Sequence, residues 1–144
     1  MDRAPERADR FVDEIRGRGA RITPVRRAVL NVLAETHEHL NAEEIAGLVQ
    51  ADHPDVHVST IYRNLDALEQ LGVVEHTHLG HQPAVYHVGE HHQHLVCEVC
   101  GRVIDVPITI LDQLADTTRA HYGFVLHPGH FALMGRCAEH APSA

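Results

Sequence analysis

The chain has 144 residues, 44% of them hydrophobic, with twelve arginines and no lysine against twenty acids, a net charge of −8 with histidine neutral. That length holds one ordinary domain or two very small ones. No apolar run approaches the roughly 18–20 residues that cross a bilayer, and the opening MDRAPERADRF has no apolar stretch of a secretory leader, so a cytoplasmic protein is expected.

The first half reads as helices. Residues 5–18 place Phe11, Val12 and Ile15 on one face and stop at Gly19. Thr23 is a good N-cap and Pro24 suits a first turn, predicting a helix to about residue 35. Asn41 and Glu44 form a capping-box pattern for a third helix that ends near Pro54. Ser59 is the expected cap of a fourth, with Ile61, Leu65, Leu68 and Leu71 at helical spacing and Gly72 as the stop. The period then changes: residues 73–79 and 84–88 alternate like strands around the turn Gly80-His81-Gln82-Pro83. Helices followed by a hairpin are the order of a winged helix-turn-helix. Gly89 and Glu90 break the pattern as a hinge. Beyond them strands are expected at 95–97, 103–106 and 131–134, with an amphipathic helix over 108–122. The expected fold class is α+β, a winged helix over 1–88 and a small α/β domain over 89–144. So thin a C-terminal core needs a metal or a second subunit.

Charge is unevenly spread. Residues 1–30 hold eight Arg against five acids, residues 31–88 one Arg against nine, and residues 89–144 three Arg against six. The basic patch is N-terminal, and Arg63 stands alone in an acidic stretch, a poor match to indiscriminate DNA binding. Fifteen histidines are many for this length, and seven of them (His76, His78, His81, His87, His91, His92, His94) fall within nineteen residues. Neutral imidazole is the commonest metal ligand.

Three cysteines cannot close a disulfide framework. Cys97 and Cys100 form one C-x-x-C knuckle, and Cys137 and His140 a second C-x-x-[CH] knuckle about forty residues later. Together they offer four ligands for a closed, structural zinc site; the alternative is a redox pair with Cys137 unrelated. His91-His92-Gln93-His94 enters the strand that ends at Cys97. Alternation would send His92 and His94 to one face and His91 and Gln93 to the other, with Asp105 and Asp112 as available carboxylates for borderline divalent ions. His76 and His78 share a face of the first wing strand. In the fourth helix, Ser59, Thr60, Tyr62 and Arg63 lie where a recognition helix meets the major groove. Enzyme motifs for zinc hydrolases and deaminases are missing. A metal store or chaperone is the rival reading, but it has no need of the helix at 59–65.

The segments GARITPVR at 19–26, STIYRNL at 59–65, HHQHLVCEVCG at 91–101 and Gly135-Arg136-Cys137 resemble the ferric uptake regulator family of metal-dependent transcriptional repressors over nearly the whole chain. The resemblance implies a cytoplasmic homodimer that binds a palindromic operator of double-stranded DNA. It implies a regulatory site at His39, His87, His92, His94 and Asp105, and a second at His91, Asp112 and His130, where Gln93 replaces the family's usual Asp. His76, His78 and His130 resemble the ligands of the nickel-responsive branch. Structural zinc would sit at Cys97, Cys100 and Cys137, with His140 in place of the usual fourth cysteine. DNA would be met by Arg21, Arg26, Tyr62 and Arg63. The sensed ion is expected to be nickel or iron, with manganese, zinc and peroxide sensing as alternatives.

Overall fold

The computed structural model describes residues 4–36, 39–89, 91–127, 129 and 131–142. Four helices open the chain. Helix α1 (Ala4–Gly17) buries Ala8, Phe11, Val12 and Ile15, the i, i+3, i+4, i+7 stripe of an amphipathic helix. Helix α2 (Pro24–Glu35) starts at Thr23, whose side chain accepts the Arg26 amide at 3.1 Å, with Pro24 in the first turn. A two-residue strand β1 (Leu40–Asn41) precedes α3 (Ala42–Asp52). There the capping box forms as expected: Glu44 N donates to the Asn41 carboxamide at 2.9 Å, and Asn41 N donates to the Glu44 carboxylate at 2.8 Å.

Helix α4 (Val58–Gln70) buries Ile61, Leu65 and Leu68. Its N-cap is His57, one residue before the helix, and not the expected Ser59. The His57 carbonyl accepts Thr60 N at 2.9 Å, so Ser59 already lies inside the first turn. Gly72, at φ +68, ends the run in the left-handed region, where a side chain would be strained. Strands β2 (Val74–Thr77) and β3 (Val85–Val88) follow, and the sheet order is β1-β3-β2, with Leu40 opposite Tyr86. Val29, Leu30, Leu33, Ile45, Val49, Ile61, Leu65, Leu68, Val74 and Val88 form one core between these helices and the sheet. Each such side chain contributes about 1.5–3 kcal/mol on burial.

The second sheet has β4 (His92–Cys97) at its centre, antiparallel to β5 (Val103–Pro107) and parallel to β6 (Leu133–Gly135). A single 3-10 turn, Ile108–Leu111, leads into α5 (Asp112–Tyr122). Sequence alternation missed three details here. Strand β4 begins at His92 and not residue 95, because the polar histidines pair with β5. The expected helix opens with a tighter turn after Pro107, whose missing amide and fixed φ suit an entry. The last strand spans 133–135, displaced toward Gly135. Little of this sheet is buried, and none of α5.

Contacts divide the chain into two compact units, Met1–His76 with Ala84–Gly89, and Thr77–Pro83 with Glu90–Ala144. The hairpin tip 77–83 thus groups with the C-terminal strands, whereas sequence kept it with residues 1–88. Thr77 Oγ1 donates to the Gly129 carbonyl at 2.9 Å, and His78 bridges Phe131 in parallel. Among the described residues no helix is long and apolar enough to cross a membrane.

Candidate metal centres

The second unit brings Cys97, Cys100, Cys137 and His140 together, with one ligand atom from each within 4.8 Å of the others. Cys100 Sγ lies 3.9 Å from Cys137 Sγ, Cys97 Sγ lies 4.0 Å from His140 Nδ1, and Cys137 Sγ lies 3.1 Å from the same nitrogen. Sulfurs about 2.3 Å from a tetrahedral zinc stand about 3.8 Å apart, so this donor set fits zinc with no position left open. Strand β4 delivers Cys97, a turn at 97–101 delivers Cys100, and a turn after β6 delivers Cys137 and His140.

Backbone amides tune the thiols. Cys137 N points at Cys97 Sγ from 3.4 Å. This donor, with that of Cys100, lowers the Cys97 thiol from 9.0 to about 6. Cys100 moves up: the Arg102 backbone lowers it, but the hydrogen bond shared with Cys97 and burial outweigh that.

On the same sheet His92, His94 and Asp105 converge. Strand register sets His94 opposite Asp105. The nearest Asp105 oxygen lies 3.6 Å from His94 Nε2 and 3.9 Å from His92 Nε2, and the two rings meet edge to face at 4.6 Å. His94 is 1% exposed. Two imidazoles and a carboxylate suit a borderline divalent ion. Gln93, fully buried, accepts the His94 backbone amide at 2.7 Å through its side-chain Oε1. In the first unit, His87 Nε2 lies 3.6 Å from Glu75 on the neighbouring strand. The β1–β3 register, extended one residue beyond Leu40, sets His39 opposite His87.

Other expected ligands are dispersed. His76 bonds Glu69 at the end of α4 and stacks obliquely on Tyr86. His78 sits in the tip that joins the second unit. His91 and Asp112 are exposed. Among the described residues, none of His76, His78, His91 and Asp112 joins a group of three ligand atoms, and His130 lies outside the described residues. Sequence gave no signal for Glu69 or Glu75 as histidine partners, because both contacts depend on how the hairpin folds back.

The residues expected at DNA lie on the first unit. Ser59 and Thr60 occupy the first turn of α4, and Tyr62 and Arg63 project from it, exposed. Arg21 is exposed ahead of α2, and Arg26 Nη1 donates to the Arg21 carbonyl at 2.6 Å.

A winged helix followed by a two-knuckle cysteine domain defines a DNA-binding regulator with metal sites. Residues 17–133 match the sequence model of the Ferric uptake regulator family, and the chain belongs to that family of metal-responsive transcription regulators. It is 30% identical over 129 residues to the peroxide-responsive repressor PerR of Staphylococcus saprophyticus, covering 89% of this chain and 87% of that one. The fold is similar to that of the Helicobacter pylori ferric uptake regulator Fur, at TM-score 0.71 and 22% identity over 96% of this chain and 94% of that one. It is also similar to a zinc uptake regulator complexed with zinc and DNA, at TM-score 0.72 and 22% identity over 96% and 95%.

Proposed function

We propose that the chain is a homodimeric repressor whose hold on a palindromic DNA operator depends on a divalent cation at His92, His94 and Asp105. The convergence of those three side chains on one sheet carries the reading. His39 and His87 complete the ligand set, as the family resemblance implies. A bound cation supplies a cross-link between the imidazoles that ligate it. The gain in DNA affinity equals the difference in cation affinity between DNA-competent and incompetent states. A coupling of about 1–3 kcal/mol gives roughly 5–150-fold tighter binding. The imidazole-rich set favours nickel or iron. Manganese and zinc fit the same donors less selectively.

Cys97, Cys100, Cys137 and His140 hold the structural zinc, which ties β4 to the chain after β6. The exposed apolar side chains of Ile110, Leu114, Tyr122, Phe124 and Val125 form the subunit contact. Arg21, Arg26, Ser59, Thr60, Tyr62 and Arg63 serve the DNA. Titrating metal-free protein with nickel, iron, manganese and zinc on promoter duplexes tests the reading. His92→Ala is expected to abolish metal-induced binding while leaving the dimer intact. Undiminished metal-dependent binding by that variant removes this site from the mechanism.

Peroxide sensing is a second reading, favoured by the likeness to PerR and by Asp105 beside two imidazoles. Mass spectrometry of the iron-loaded chain after peroxide would show an added oxygen on His39 or His92; unmodified histidines count against it.

A further inference from the structure

Arg26 stands at the third position of α2, and both of its ends are spent on the turn before the helix. Its backbone N–H donates to Thr23 Oγ1 at 3.1 Å, and its Nη1 donates to the Arg21 carbonyl at 2.6 Å. Its Nε is shielded from solvent with no hydrogen-bond partner among the described residues. The guanidinium is folded back on the Arg21 carbonyl through Nη1, in a bond that lies at the surface. The position is also electrostatically costly. The first turn of α2 has no acidic residue, and a cation there faces the positive end of the helix dipole. The clamp holds the stretch from Arg21 to Thr23, which lies outside helix and strand and is otherwise tied to α2 through the Thr23 carbonyl, which accepts Arg27 N at 2.9 Å. It fixes the backbone of Arg21, whose side chain is exposed.

We infer that Arg26 is a positioning residue that acts on DNA through Arg21, without touching the phosphates itself. The inference rests on the DNA-binding reading above and divides two arginines that sequence treats alike. Arg21 makes the phosphate contact. Arg26 removes the freedom of the Arg21 backbone before DNA arrives, so the ordering cost is met in folding.

The two roles separate in salt. A lost phosphate contact lowers the slope of log affinity against log salt by about 0.9. A lost positioning residue weakens binding at unchanged slope. A duplex enriched by the metal-loaded wild-type chain from a random library serves as the probe, titrated between about 50 and 200 mM salt. Arg21→Gln is expected to lower the slope by about 0.9. Arg26→Gln is expected to weaken binding roughly 5–20-fold, a coupling of the usual allosteric size, with the wild-type slope. Added to Arg21→Gln, it is expected to cost nothing further. Arg26→Lys, with one donor still able to reach the carbonyl, should recover part of the loss. Amide order parameters at residues 21–23 should fall in Arg26→Gln and not in Arg21→Gln.

A slope reduced by Arg26→Gln as much as by Arg21→Gln, or losses that add in the double variant, would overturn the inference. So would order parameters that do not change. If the wild-type chain enriches no duplex, the DNA-binding reading itself has failed, and the inference with it.

Discussion

Cys97 shows how far backbone placement sets side-chain chemistry. Its sulfur is buried, where a thiolate is normally disfavoured, yet amides of Cys137 and Cys100 bring its pKa to about 6. The sign follows from linkage. A group whose pKa is lowered on folding adds stability that is complete above the ordinary thiol value of 9.0 and is lost as pH falls toward about 6. The metal-free chain is therefore expected to melt at progressively lower temperature from pH 9.0 to about 6. Cys97→Ala should flatten that slope. Thiolate ultraviolet absorbance should show a first step near pH 6, missing in the variant. A single step near 9.0 in the wild type would contradict the amide account.

At the level of elements, what sequence made legible was what local patterns encode. The capping box at Asn41, the apolar stripe of α4 and the stop at Gly72 depend on residues a few positions apart, and each is found. The C-x-x-C and C-x-x-H knuckles were legible for the same reason, since each pair is local and only its partner is distant. What sequence missed is long-range. Strand β1 has two residues and exists only because β3 pairs with it. The partners of His76 and His87 come from an α4–hairpin fold-back that no periodicity announces. Arg7 is another such case. From α1 its Nη2 donates to the Val88 carbonyl at 2.9 Å, and its Nη1 reaches the Ala34 carbonyl at 3.5 Å, so one side chain closes the ends of both β3 and α2. The next residue, Gly89, adopts φ +108, where a side chain is strained, and an added Cβ would stand 2.9 Å from Arg7 Nη2. Gly89→Ala is expected to lower stability by roughly 1–3 kcal/mol, mostly backbone strain. Arg7→Ala should do so by about 1–3 kcal/mol through the orphaned carbonyl at Val88. Denaturant midpoints measure both; a neutral Gly89→Ala would show that the chain leaves β3 by a relaxed route.

Considered whole, the chain is unequal in its means of holding together. The first unit has a continuous apolar core, and among the described residues the second buries little beyond Thr77, Gln93, His94, Val96, Cys97 and Leu111. Its stability is expected to come from zinc and from a second copy. Removing zinc with a strong chelator should unfold the β4–β6 region first, followed by loss of dimer, as far-ultraviolet dichroism and sedimentation would record. Leu114→Asp should weaken the dimer at least roughly tenfold, about 1.4 kcal/mol, with zinc content unchanged. A variant that remains fully dimeric would place the subunit contact elsewhere.

The hairpin tip carries a consequence for anyone dividing the protein. Because residues 77–83 group with the strands beyond Gly89, the peptide crosses from one unit to the other after residues 76, 83 and 89. Cutting at the seam that sequence suggests would leave the N-terminal piece with a loop stripped of Gly129 and Phe131, and the C-terminal piece without the partners of those two residues. Neither fragment is a fair stand-in for its half of the parent. Affinities measured on a severed reading head would describe a wing that has lost its anchorage.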